Sequence, residues 1–126
     1  KIKKEILKID KVLFEGSCGP TWKDTSWVLI YEGSNLIAYG GVTFYLDGCF
    51  LSRSGVISEH RGKGLQKTLI SLRCFLADQY DAKSVYTYTT NTNCASMNSL
   101  IARDFKTHTP QYPYAGKEMV YWKRYK

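Results

Sequence analysis

Between Val56 and Gln66 the chain reads Val-Ile-Ser-Glu-His-Arg-Gly-Lys-Gly-Leu-Gln, and Lys67 follows. Arg61, Lys63 and Lys67 thus surround two glycines, Gly62 and Gly64, where an apolar strand pattern gives way to a helical one. Such a junction leaves several backbone N–H groups without a partner, and the helix dipole adds positive potential at the same place. The chemistry expected of it is the holding of a phosphorylated ligand. A turn with two glycines before a helix also occurs in α/β proteins for steric reasons alone, so the assignment depends on the elements around it.

Other side chains of chemical interest are more dispersed. Glu59, His60 and Asp47 could accept a proton, and Tyr86, Tyr88, Tyr112 and Tyr114 could donate one, but no spacing selects among them. Cys18, Cys49, Cys74 and Cys94 form no Cys-x-x-Cys pair and have only His60 and His108 as imidazole companions, so no metal site is expected. Reduced thiols in a cytoplasmic setting are the simpler expectation, with Cys74 a small core residue on a helix.

The elements that must position these groups follow from periodicity. Ile2, Ile6, Ile9 and Leu13 predict a helix over residues 2 to 14, with Lys3, Lys4, Lys8 and Lys11 largely on its other face. Gly16 to Thr25 reads as a loop, and Ser26 to Tyr31 and Leu36 to Tyr45 as strands joined at Glu32-Gly33-Ser34-Asn35. Asp47-Gly48 turns into a strand from Cys49 to Ile57, in which Gly55 suggests a bulge or close approach by a ligand. Leu65, Leu69, Leu72 and Leu76 define a helix to Tyr80, and Ser84 to Thr90 a strand parallel to the one before it, because a helix makes the crossover. Asn91 to Asn93 caps a helix running to Phe105; residues 107 to 116, with Pro110 and Pro113, should be irregular, and Glu118 to Tyr125 is a last strand.

With 126 residues, 44% hydrophobic and 23% charged, the chain fits one domain over residues 1 to 126. No apolar stretch approaches the roughly 18 residues of a membrane span, and no signal-peptide pattern is present, so a soluble protein without a membrane partner is expected. Lys1 is not an initiator Met, which leaves room for residues upstream. The net charge of +7 favours anionic ligands, but its lysines are spread along the chain as on a solvated surface.

In order and content these elements resemble the GNAT superfamily of acyl-CoA-dependent N-acetyltransferases, over nearly the whole chain. The specific part is the family's Arg/Gln-x-x-Gly-x-Gly/Ala motif, matched by Arg61, Gly62, Lys63, Gly64 and Leu65, with Gln66 in place of the final small residue and with Val56 and Leu69-Ile70 at the flanking apolar positions. Asn93 and Ser96 resemble the family's Asn-x-x-Ala/Ser segment, with Asp104 where a Gly usually precedes the Phe, here Phe105. The resemblance implies an α/β (α+β) GNAT fold: a mixed, mostly antiparallel central sheet with a parallel pair at the family's fourth and fifth strands, flanked by helices.

It also implies acetyl-CoA as acyl donor, held by Val56, Arg61, Gly62, Lys63, Gly64, Leu65, Gln66, Lys67, Asn93 and Ser96. Lys67 and Arg103 are candidates for the CoA 3'-phosphate, against a plain solvated face. Family members part the two parallel strands, which would free backbone N–H groups near Ser54 and Val56 to polarise the thioester carbonyl; Ser96 is a further side-chain candidate for catalysis. The usual glutamate base and tyrosine acid fall on Phe50 and Leu100, so no catalytic side chain is identified. The function implied is direct acetyl transfer to a primary amine in a ternary complex, the acceptor being a small molecule or a protein, in a groove expected near Trp22, residues 16 to 25 and residues 112 to 116. The rival reading is a non-catalytic acyl-CoA-binding or nucleic-acid-binding module on the same fold. The oligomeric state is open.

Overall fold

A computed structural model describes residues 2–14 and 19–125. Cys18 and the start of the loop before the first strand lie outside the described residues. The elements are α1 (Ile2–Leu13), β1 (Thr25–Glu32), β2 (Asn35–Tyr45), β3 (Gly48–Val56), α2 (Leu65–Gln79), β4 (Ser84–Thr89), α3 (Cys94–Ile101), β5 (Lys106–His108) and β6 (Val120–Tyr125). One six-stranded sheet carries them, in the order β1-β2-β3-β4-β6-β5. Among the described residues only β3 and β4 run parallel; every other pairing is antiparallel. In chain order this parallel pair is the third and fourth of the described strands.

Strand alternation sorts the two faces of the sheet. Ala38, Val56 and Leu69 cluster with Val28, Ile30 and Leu65, while Val42, Leu51, Ile70, Cys74, Val85, Leu100 and Trp122 form the main core, so α2 and α3 cover one face. Neighbouring residues point the other way: Tyr39 and Leu36 pack with Ile6, Ile9 and Leu13 of α1, together with Trp22 and Trp27. The amphipathic α1 therefore lies on the opposite face. A buried network fixes it there, with the Tyr39 hydroxyl donating to Asp10 Oδ1 at 2.6 Å and Arg53 Nε 3.5 Å from the same oxygen.

Two helices end through left-handed residues that are not glycine. Asp81 has φ 60° and Asp104 φ 67°, and the N–H groups beyond them fold back, Ala82 to the Ala77 carbonyl at 3.0 Å and Phe105 to the Leu100 carbonyl at 3.1 Å. Asp104 thus takes the conformation for which a glycine was expected. It also ends α3 at Ile101, short of the predicted Phe105, and the chain next forms β5 within a stretch expected to be irregular.

The bulge lies elsewhere than Gly55. Gly40 pairs with Ser54 and Val42 with Leu51, so Ser52 and Arg53 stand opposite Gly41 alone. Gly41 is there for space, since a Cβ would come within 2.5 Å of Ser52 Oγ. At Gly55 the close neighbour is protein and not a ligand: a Cβ would lie 2.7 Å from Leu13 Cδ1 and 2.9 Å from the Tyr39 hydroxyl.

Candidate functional site

Beyond Phe50, β3 loses its pairing with β4 while keeping β2. Its parallel pairing with β4 is confined to Cys49 with Val85 and Phe50 with Tyr86, and the two strands then diverge. Ile57 N–H bonds the Ile37 carbonyl at 3.0 Å, so by antiparallel alternation Gly55 and Ile57 face β2, while the backbone groups of Ser54 and Val56 face the gap. A cavity of about 100 Å³ occupies it, lined among others by Ser54, Gln66, Arg73, Thr87, Tyr88 and Ser96.

The glycine turn opens at one end of this gap. A 3-10 turn at Ser58–His60 leads into Arg61, whose Nε donates to the Val56 carbonyl at 3.2 Å. Gly62 and Gly64 have φ of 80° and 79°, the left-handed region, and α2 begins directly after Gly64 without a side-chain cap. The first helical bond is Thr68 N–H to the Gly64 carbonyl at 3.1 Å. Among the described residues, the N–H groups of Gly62 through Lys67 therefore have no acceptor. Six consecutive free donors at a helix start, beside Arg61, Lys63 and Lys67, form an electropositive cradle. A Cβ at either turn glycine would meet nothing within 4 Å, in contrast to Gly41 and Gly55. Open space over these two glycines is what a ligand pressed against the backbone requires.

The side chains of the turn divide their work. Leu65 packs into the core with Val56 and Leu69, leaving only its N–H to the cradle. Gln66, at odds with the family's small residue, turns inward: its Oε1 accepts from Ser54 Oγ at 3.4 Å and it lines the gap. Lys63 Nζ sits 3.3 Å from His60 Nδ1, and His60 Nε2 is 3.5 Å from Glu32 Oε1, so His60 belongs to the outer rim. Glu59 is likewise exposed, its carboxyl held below the usual range mainly by a hydrogen bond from Ser58. Arg103 Nε donates to the Lys67 carbonyl at 3.4 Å, which holds the Arg103 side chain against the first turn of α2.

Asn93 caps α3, its Oδ1 accepting from Ser96 N–H at 3.2 Å, and this bond sets Ser96 at the gap. Three further residues of the gap carry no motif. Arg73 is 2% exposed and donates from Nε to the Leu69 carbonyl and from Nη1 to the carbonyls of Gly41 and Ser52, at 3.2, 3.0 and 3.3 Å. It staples the bulge to α2. Desolvation lowers its pKa to about 10, so it is still a cation at neutral pH. Thr87 Oγ1 donates to the Leu51 carbonyl at 2.9 Å, and Thr89 Oγ1 accepts from Trp122 Nε1 at 3.0 Å, anchoring β4 where it leaves β3. The signal available for Arg73 is a charge on the apolar stripe of α2.

These elements match known proteins. The acetyltransferase (GNAT) family profile aligns with residues 9–100 of the chain. The chain belongs to the GNAT acetyltransferase family. No curated protein sequence matches. Among solved structures, a Klebsiella pneumoniae protein provisionally named acyl-CoA N-acyltransferase superposes with a TM-score of 0.74 at 19% identity, covering 98% of this chain and 88% of that one. An IAA acetyltransferase from Bacillus cereus gives 0.72 at 13%, covering 98% and 91%. The PaiA N-acetyltransferase from Thermoplasma acidophilum, solved with coenzyme A, gives 0.72 at 14%, covering 82% of this chain, which spans 62% of its length. At these identities the likeness establishes the GNAT fold: a mixed sheet, a parallel pair and flanking helices.

The two family positions for proton transfer are apolar in place as well as in type. Leu100 is 2% exposed in the main core at the floor of the gap. Phe50 belongs to an aromatic cluster on the face opposite α2, with ring centroids 5.7, 6.1 and 6.1 Å from Tyr86, Tyr88 and Tyr114. That cluster walls a second cavity of about 430 Å³, lined by Tyr45, Phe50, Tyr86, Tyr88, Tyr114 and Ala115. Tyr88 lines both cavities and so stands between them. Of the described residues expected to shape an acceptor groove, Tyr114 and Ala115 line the second cavity, whereas Trp22 packs on Trp27, 5.3 Å away, beneath α1. Tyr112 is 75% exposed and lines neither cavity.

Proposed function

We propose that the chain, as a single acetyltransferase domain over residues 1 to 126, moves an acetyl group from acetyl-CoA to a primary amine by direct transfer in a ternary complex. The observation that carries this is the run of free N–H groups from Gly62 to Lys67 at the mouth of the gap between β3 and β4. Those donors, with Arg61 and Lys63, suit the pyrophosphate; Lys67 and Arg103 suit the 3'-phosphate; Val56, Asn93 and Ser96 border the path of the pantetheine arm. Arg61 also holds the Val56 carbonyl, so phosphate binding and the shape of the gap are coupled.

In the reaction the amine nitrogen attacks the thioester carbonyl, the C–N bond forms, the C–S bond breaks, and the thiolate takes up one proton as the amine gives one up. Backbone N–H groups of Ser54 and Val56 face the gap and are the donors for the developing oxyanion, a role worth about 3 kcal/mol per donor in comparable sites. Tyr88 is the phenol bordering both cavities and is assigned the proton delivered to the thiolate. Water is assigned as the base, since Phe50 stands where the usual carboxylate would.

The apolar pair Phe50 and Leu100 also suits a non-catalytic acyl-CoA-binding module. Release of free thiol from acetyl-CoA across a panel of amines, with the product checked by mass, separates the two. Transfer requires amine-dependent release with a mass gain of one acetyl group; tight acetyl-CoA binding with no release from any amine would favour the module.

A further inference from the structure

The larger cavity has a composition unlike the rest of the chain. Five of its six lining residues are aromatic, and none is Lys or Arg, although the chain carries a net charge of +7. Its rim carries both signs: Lys123 stands directly opposite Tyr86 in the β4–β6 register, with its Nζ turned over the Tyr125 ring 5.0 Å from the centroid, and two acidic groups lie nearby. Asp47 lies close enough to Tyr86 to bias that phenol, and Glu118 Oε2 is 3.1 Å from where a Cβ on Gly116 would stand, next to lining residue Ala115. Tyr45, Tyr88 and Tyr114 are 54%, 39% and 42% exposed, a large aromatic surface on the half of that face that α1 does not cover.

The rings are braced. Tyr114 packs edge-on to Phe50, Tyr86 and Tyr88, with centroids 6.1, 6.4 and 5.9 Å away. Behind it, the Tyr121 hydroxyl donates to the Gly116 carbonyl at 2.9 Å and accepts from Ala115 N–H at 2.8 Å, pinning the loop that carries Tyr114. Burial raises the Tyr86 phenol to about 12 and pushes Tyr114 higher still, so both rings stay neutral and keep their π faces. Neutral aromatic faces with acidic neighbours, beside a lysine whose ammonium is turned to Tyr125, are the chemistry that recognises an organic ammonium.

We infer that this recess binds the trailing cation of the acceptor, making the substrate a small molecule with two amino groups on a short alkyl chain, one held as ammonium among Phe50, Tyr86, Tyr88 and Tyr114 and the other presented past Tyr88 to the thioester. The inference rests on the transfer reading given above. A volume of about 430 Å³ exceeds what one ammonium needs and falls among ordinary small-molecule sites of about 300–1,000 Å³. The same arrangement disfavours an acidic acceptor.

The test compares 1-aminopentane, 1,5-diaminopentane and (5-aminopentyl)trimethylammonium as acceptors in thiol release by the full chain, with an acetyl-CoA thermal shift recorded in parallel. The two dications should show KM values roughly tenfold or more below that of the monoamine. Tyr114→Leu should abolish this preference with the acetyl-CoA shift intact, and Tyr114→Phe, which keeps the ring, should retain it. Equal KM values for all three amines, no release from any of them with acetyl-CoA bound, or an undiminished preference in Tyr114→Leu would overturn the inference and leave cofactor binding standing. Absence of an acetyl-CoA shift would instead remove the transfer reading itself. Self-association lost in Tyr114→Leu, with no effect of the diamine, would make the recess an interface between copies and also overturn the inference.

Discussion

Replacing Gly64 by alanine separates what the turn does for the fold from what it does for a ligand. With φ of 79°, an L-residue there pays left-handed strain of roughly 1–2 kcal/mol, and no packing penalty adds to it, because a Cβ meets nothing within 4 Å. The ligand-free variant should therefore melt lower by roughly 3–10 °C. Gly64→Asn should lose less, since asparagine tolerates this conformation. If a pyrophosphate lies against the turn, the new Cβ displaces it from the adjacent donors. Forfeiting one or two charge-assisted hydrogen bonds at about 1.5–3 kcal/mol each weakens binding roughly ten- to ten-thousandfold. At acetyl-CoA a hundredfold above the wild-type Kd, the ligand stabilises the wild type by about 2.7 kcal/mol and a hundredfold-weakened variant by about 0.4 kcal/mol. Melting curves with and without acetyl-CoA measure both terms. A Gly64→Ala protein that melts lower yet gains as much from acetyl-CoA as the wild type would refute the reasoning, leaving the glycine a purely conformational role.

Arg73→Met removes a buried charge whose desolvation costs about 3 kcal/mol, but it strands the carbonyls of Gly41 and Ser52 at about 1–3 kcal/mol each. Urea unfolding should thus change by less than about 3 kcal/mol, while thiol release falls at least about tenfold as the bulge loses its staple; unchanged release would dissociate the bulge from activity. Asn93→Ala should cost about 1 kcal/mol in urea unfolding through loss of the α3 cap, with Asn93→Ser close to wild type. In alkaline solution Tyr39, Tyr86 and Tyr114 keep their protons in the folded state after the unfolded chain has lost them near pH 10. Their stabilisation is full below pH 10 and is lost as pH rises toward 12 and beyond, so ultraviolet titration should show these phenolates appearing only as the fold melts. A normal titration of all tyrosines in the intact protein would contradict that burial.

The sequence made legible whatever repeats with a period. Leu65, Leu69, Leu72 and Leu76 announced α2, and alternation in Ser84–Thr89 announced β4 within a residue of its end. What it hid depended on register and on coverage. The bulge belongs to Ser52 and Arg53 because Gly41 opposite them makes room, a relation between residues about eleven apart that no local pattern carries. β5 has only three residues and exists through its pairing with β6, too short for alternation to register. That no helix among the described residues covers the half of the face carrying Tyr86 and Tyr88 is a matter of coverage, and it turns five dispersed aromatics into a recess. The run of free donors at the start of α2 was readable from Arg61 to Gln66 because it lies in consecutive backbone groups. The inward turn of Gln66 to Ser54 was not, since it depends on how β3 meets α2.

The central claim is that acetyl-CoA lies along the glycine turn and enters the gap between β3 and β4. Amide hydrogen exchange, followed residue by residue with and without saturating acetyl-CoA, tests this most directly. Binding should slow exchange at Gly62 through Lys67, groups without acceptors in the protein, and at Ser54 and Val56 facing the gap. Slowed exchange confined to another surface, or none at these amides at saturation, would contradict the account.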